Sequence, residues 1–131
     1  DHRMNDRPKT TAIIIDDMTS IRAMAKAILG AIGVEVVGEA ENGALGLTLF
    51  QETRPDLVLL DIDMPVKDGV STLKSILARD ATANVVMMTT VSNQAVVESC
   101  ILGGAKDYIT KDKDPMTVKA RLEQVIAELS I

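Results

Sequence analysis

Short runs of apolar residues alternate along this chain with longer stretches in which apolar residues recur every three or four positions. The runs are Ala12-Ile13-Ile14-Ile15, Val34-Glu35-Val36-Val37, Leu57-Val58-Leu59-Leu60, Val85-Val86-Met87-Met88 and a weaker one around Tyr108-Ile109. The first, third and fourth are apolar at both parities, as a central parallel strand is when helices cover both of its faces. The second alternates more and suits a place nearer an edge.

Between the runs lie the helical stripes. Ile21, Met24, Ala25, Ile28 and Leu29 fall at i, i+3, i+4, i+7 and i+8, with Thr19 or Ser20 as the expected cap and Gly30 and Gly33 as the expected end. Leu45 with Leu49, then Val70 with Leu73, Ile76 and Leu77, then Val97 with Cys100, Ile101 and Gly104 predict three more helices. In the fifth, Asp114 stands as cap, Pro115 occupies the first helical position, and Val118, Leu122, Val125 and Leu129 share one face. Five strand-helix units in this order predict an α/β, doubly wound, five-stranded parallel sheet with five helices and strand order 2-1-3-4-5. Residues 1–9 are expected to be a disordered or cloning-derived extension, and residues 10–131 a single domain.

Composition narrows the picture. Aromatic residues make up 2% of the chain and there is no Trp, so the core must be aliphatic. The net charge of −5 argues against partners bound through clustered Lys and Arg, whether nucleic acid or an anionic membrane. No apolar stretch approaches the roughly 18 residues of a membrane span. A single Cys100 cannot form an internal disulfide, in keeping with a reducing cytoplasm.

In doubly wound sheets ligands bind beyond the carboxyl ends of the strands, at the point where strand order reverses. The residues leaving those ends are Asp16-Asp17, Asp61-Ile62-Asp63, Thr89-Thr90 and Lys111. One strand-end Asp is usually a turn former or a cap. Three carboxylates within roughly 5 Å are a different matter, since each pair repels by about 3 kcal/mol at an effective dielectric near 20. A cation is expected among them, and hard oxygen ligands suit Mg²⁺, with Mn²⁺ as a substitute.

These motifs carry a resemblance. Ile13-Ile14-Ile15-Asp16-Asp17, Leu59-Leu60-Asp61-Ile62-Asp63-Met64-Pro65 through Asp68-Gly69, Met88-Thr89, and Gly104-Ala105-Lys106-Asp107-Tyr108-Ile109-Thr110-Lys111 resemble the receiver domain of two-component response regulators, similar to the single-domain chemotaxis type. The resemblance runs from about Thr11 to Leu129. It implies a flavodoxin-like fold and a bacterial signalling module in which Asp61 accepts a phosphoryl group from a phosphohistidine. Asp17, Asp61 and the backbone carbonyl of Asp63 would ligate Mg²⁺, with Asp16 acting mainly through a bound water. Thr89 would hydrogen-bond the phosphoryl oxygen and Lys111 would pair with it. Thr89 and Tyr108 would form the switch, read out on the face of the fourth helix, fifth strand and fifth helix. Tyr108 also has a plain reading as half-buried packing on the last strand. Val96 and Leu102 fall off the core stripe and are candidates for a partner contact. The implied partners are a sensor histidine kinase or histidine phosphotransfer protein and an unknown output protein, with phosphorylation-dependent dimerisation open. No separate output domain is expected, and beyond promoting its own phosphotransfer and autodephosphorylation the chain is not expected to be an enzyme.

Two departures matter. The family usually has Lys-Pro with a cis bond after the lysine, whereas this chain reads Lys111-Asp112-Lys113-Asp114-Pro115. A trans bond and a re-routed loop are expected, leaving Lys111 and Lys113 as rival partners for the phosphoryl group. Asp63 and Val91 stand where the family tunes the lifetime of the acyl phosphate. Two alternatives remain in view. Asp61-Ile62-Asp63 resembles the Asp-x-Asp pair of haloacid dehalogenase-like phosphatases, although that pair usually follows the first strand. A flavodoxin-like cofactor module would need a phosphate-cradling loop where Asp16-Asp17 stands.

Overall fold

The computed structural model describes residues 9–64, 67–90, 94–111, 113–129 and 131. Five strands and five helices alternate without exception: β1 (Thr11–Ile15), α1 (Thr19–Ala31), β2 (Glu35–Ala40), α2 (Gly43–Thr53), β3 (Leu57–Asp61), α3 (Gly69–Arg79), β4 (Val85–Thr89), α4 (Gln94–Leu102), β5 (Asp107–Thr110) and α5 (Pro115–Leu129). All pairings are parallel and the strand order is β2-β1-β3-β4-β5, as the pattern predicts. Among the described residues no helix is long and apolar enough to cross a membrane.

Why the central strands are apolar throughout is visible in their packing. Successive side chains of a strand point to opposite faces, so Ile13, Ile15, Val58, Leu60, Val85 and Met87 enter one core with Phe50, Leu73, Ile76, Val97 and Cys100 of α2, α3 and α4. Ala12, Ile14, Leu57, Leu59, Val86 and Met88 enter the other, with Ala25, Ile28 and Leu29 of α1 and Val118, Leu122 and Val125 of α5. β2 is one of the two edge strands, and its pairing slips between Ala12 and Ile13 of β1, passing over Val37, which stays exposed.

Several helix details differ from the sequence expectation. α1 is capped neither by Thr19 nor by Ser20: its N-cap is Met18, with no side-chain cap bond, and the Met18 amide donates to Asp16 Oδ1 at 2.8 Å in an Asx-type turn. The helix runs through Gly30 and ends at Ala31, with Gly33 following at φ +86°. α2 does not bury Leu45, which is 52% exposed; it buries Gly43, Gly46 and Phe50. A Cβ on Gly46 would lie 2.6 Å from Ile15 Cδ1, so this helix approaches the sheet through a position that adds nothing to a hydrophobic count. In α4, Val97 and Cys100 are buried while Ile101 faces solvent, and Val96 packs against the first core. Val96 is therefore withdrawn as a partner-contact candidate, whereas Leu102 is 89% exposed. α5 follows its prediction, with both Asp114 carboxylate oxygens accepting from Thr117.

The cap of α2 gives a local test. Asn42 Oδ1 accepts from the Leu45 amide at 2.9 Å, and losing such a cap costs about 1 kcal/mol. Asn42→Ala is expected to lower the urea midpoint accordingly, while Asn42→Asp holds it near that of the parent.

Candidate functional site

Sheet register assembles the site. Ile15 pairs with Leu60, so the next residues out, Asp16 and Asp61, emerge side by side. Asp61 itself pairs with Met88, which puts Thr89 one step beyond it, and Thr89 pairs with Thr110, which puts Lys111 one step further out still. The ladders continue past the strand ends through Asp16 N to Ala40 O at 3.0 Å, Ile62 N to Met88 O at 3.0 Å and Lys111 N to Thr89 O at 2.9 Å. The backbone is thus fixed where the polar side chains leave it. Gly69 closes the far side of the loop that follows Asp61: its amide donates to Ile62 O, and a Cβ there would lie 2.2 Å from the Asp61 carbonyl oxygen.

Asp16 and Asp61 are buried, Asp17 is exposed, and one carboxylate oxygen from each lies within 4.8 Å of the others. Lys111, 5% exposed, reaches into this cluster with its Nζ 2.8 Å from Asp16 Oδ2 and 3.0 Å from Asp61 Oδ1. Of the two lysines it is Lys111 that reaches the carboxylates, whereas Lys113 stands exposed, lining a small cavity beside Tyr108. The expected trans bond after Lys111 falls on Asp112, and the lifetime-tuning position of Val91 falls on residues 91–93; both lie outside the described residues.

The two oxygens of Asp61 differ. Oδ1 receives Lys111 and the Asp63 amide, the latter at 3.2 Å. Oδ2 is buried and has no hydrogen-bond partner among the described residues. Leaving a buried carboxylate oxygen unsatisfied is costly, and such an atom suits a ligand-binding or chemical role. Burial, with the Asp16 charge adding to it, raises the Asp61 pKa from 3.8 to about 6 against the lowering effects of Lys111 and the Asp63 amide. Burial opposes the Lys111 ammonium, but its bonds to Asp16 and Asp61 outweigh that and hold its pKa above the ordinary value. A three-carboxylate, all-oxygen cluster with one orphaned oxygen fits a hard divalent cation.

Asp63 contributes its amide, and its carboxylate is exposed and outside the cluster. Thr89 is buried at the end of β4. Tyr108 is half-buried against the first core, one strand over, with the Arg121 guanidinium 5.8 Å from its ring centroid and donating to its carbonyl at 3.0 Å. Sequence reasoning missed Arg22, whose Nη1 donates to the Asp16 carbonyl at 2.7 Å. On the sequence it is one of the two charges of α1, beside Lys26, and nothing marks it out.

The raised Asp61 pKa has a direct consequence for stability. Because the folded value exceeds the unfolded one, ionised Asp61 burdens the metal-free fold above about pH 6, and the burden lifts as the group takes up a proton below that. In EDTA, Asp61→Asn is expected to melt above the parent at pH 8, and the gap is expected to close as the pH falls towards 5. A gap that does not change with pH would count against the raised value.

Comparison with known proteins agrees with this geometry. Residues 12–123 match the response regulator receiver domain family. The chain is 46% identical over 99 residues to the chemotaxis protein CheY of Bacillus subtilis, covering 76% of this chain and 82% of that protein. It is 37% identical over 113 residues to CheY of Thermotoga maritima, covering 86% and 94%. In structure it is similar to the response regulator domain of Thermotoga maritima CheB, with a TM-score of 0.84, 25% identity and coverage of 95% and 98%. A CheX-CheY-BeF₃-Mg²⁺ complex from Borrelia burgdorferi gives a TM-score of 0.85 at 26% identity over 92% and 89%. The phosphatase and flavin-module alternatives find no support in these relatives. With its five-stranded order, its strand-end carboxylates and a family match across most of its length, the chain belongs to the response regulator receiver domains, the phosphoacceptor signalling modules of two-component systems.

Proposed function

We propose that Asp61 is the phosphoacceptor and that this chain works in the cytoplasm as a chemotaxis-type regulator. One observation carries the assignment: Asp61 Oδ1 is held by Lys111 and the Asp63 amide, while buried Oδ2 has no partner among the described residues. A carboxylate anchored by one oxygen and free at the other is a positioned nucleophile. Oδ2 attacks phosphorus, the P–N bond of the donor phosphohistidine breaks, and its electron pair returns to the imidazole. The donor is a sensor histidine kinase or a histidine phosphotransfer protein.

Asp16, Asp17 and Asp61, with the Asp63 carbonyl, would hold Mg²⁺, which when bound neutralises charge on the transferred group. Asp16 would do so mainly through a water. Lys111 supplies the second positive charge, exchanging its bond to Asp61 Oδ1 for a phosphoryl oxygen, and the Thr89 hydroxyl donates to another. Thr89 and Tyr108 then act as a coupled pair biased by the new charge. The α4–β5–α5 face reports the change to an output protein, and exposed Ile101 and Leu102 give α4 apolar positions for that contact. The acyl phosphate is hydrolysed slowly by the same site.

Incubation with acetyl phosphate and Mg²⁺ tests this. The expected result is an intact-mass increase of one phosphoryl group per chain that decays after the donor is removed. Absence of label, or release of many phosphates per chain, overturns the reading.

A further inference from the structure

Arg22 has no assigned role, yet it ties together three segments that border the site. From α1 its Nη1 donates to the Asp16 backbone carbonyl at 2.7 Å, and its Nε donates to Glu39 Oε1 of β2 at 3.2 Å. Its side chain is 15% exposed, far less than a solvated surface arginine. The adjoining Asp16 amide is bonded to Ala40 O of the same edge strand. The peptide that leads from Asp16 to Asp17 is thereby gripped at its carbonyl, and the residue before it at its amide. Asp16 and Asp17 supply two of the three clustered carboxylates.

We infer that Arg22 is a positioning residue for the cation site, setting the β1–α1 turn so that the Asp16 and Asp17 carboxylates converge with that of Asp61. The inference rests on the reading of this cluster as a divalent-metal site. Two effects of Arg22 on a bound cation oppose one another. As a nearby positive charge it weakens cation binding, and as a clamp on the ligand-bearing backbone it strengthens it. Groups that orient metal ligands typically contribute 10–100-fold in affinity, whereas a partly solvated charge beyond contact distance contributes less. The clamp is therefore the larger effect. A planar guanidinium reaches the carbonyl and the Glu39 carboxylate together, which a lysine ammonium at the end of a single stem cannot do.

Isothermal titration of the metal-free protein with Mg²⁺ decides the matter, with the thermal midpoint of each variant recorded in EDTA. Arg22→Ala is expected to weaken Mg²⁺ binding about tenfold, although it removes a positive charge. Arg22→Lys, which keeps the charge and loses the fork, is expected to be weakened nearly as much, and it carries the test should the alanine variant fail to fold. Glu39→Gln, which keeps an acceptor for Nε, is expected to lie between parent and Arg22→Ala. Tighter binding by Arg22→Ala, or full affinity in a folded Arg22→Lys, overturns the inference while leaving the phosphoacceptor reading intact. No Mg²⁺ binding by the parent overturns both.

Discussion

Asp61→Asn is expected to take up no phosphoryl group from acetyl phosphate in Mg²⁺, a fall on the order of 10³-fold or more, as for loss of an essential nucleophile. The side chain keeps its shape and its place at the end of β3, so Lys111 retains Asp16 and the sheet retains its register. What disappears is the anionic Oδ2, the buried oxygen that the described residues leave unpartnered. Intact-mass measurement over a time course, beside the parent, reads the result. Undiminished labelling of the variant would move the acceptor to another carboxylate, with exposed Asp17 and Asp63 the nearest in sequence or space.

Lys111→Met carries the largest expected effect on stability. The ammonium is buried between Asp16 Oδ2 and Asp61 Oδ1, with side-chain exposures of 4%, 0% and 2%. Methionine keeps much of the apolar stem and removes the charge. Two buried carboxylates are then left without their cation, a change that typically costs 3–5 kcal/mol. For a domain of this size that is roughly a 10–20 °C fall in thermal midpoint, measured in EDTA at pH 8. Without Lys111 the Asp61 pKa rises further above about 6, so the variant should recover stability as the pH falls. Millimolar Mg²⁺ should restore part of the loss by supplying a cation to the same oxygens. A midpoint within a degree or two of the parent at pH 8 would show the pair to be energetically idle.

Much of the fold is legible in the sequence because the determinants are local and redundant. An uninterrupted apolar run such as Leu57 to Leu60 suits a strand buried on both faces, and three such runs with two weaker ones, separated by helical stripes, leave one common topology. The site is legible for a related reason. Parallel strands in a doubly wound sheet finish at one edge, so the residues following each run, Asp16, Asp61, Thr89 and Lys111, are brought together whatever the loops do. What stays hidden depends on contacts rather than pattern. Gly43 and Gly46 are the buried face of α2, and burial through absence of a side chain leaves no hydrophobic mark. Arg22 bonds a backbone carbonyl, so no partner side chain advertises it. The reach of Lys111 past an altered loop depends on the path of the chain, which spacing alone does not fix.

The uneven anchoring of the elements has a further consequence. β3, which bears Asp61, has all five residues buried, whereas α4 buries only Val97 and Cys100 of its nine. On the proposed assignment the chemistry sits on a strand buried along its whole length and the partner-facing surface on a helix that buries few of its residues. Substitutions that retarget the protein to a different listener can accumulate along α4 at little energetic penalty, while those near β3 are purged for instability before their effect on phosphoryl transfer is ever tested. A lineage of such domains can therefore diversify in whom it informs while its reaction stays fixed.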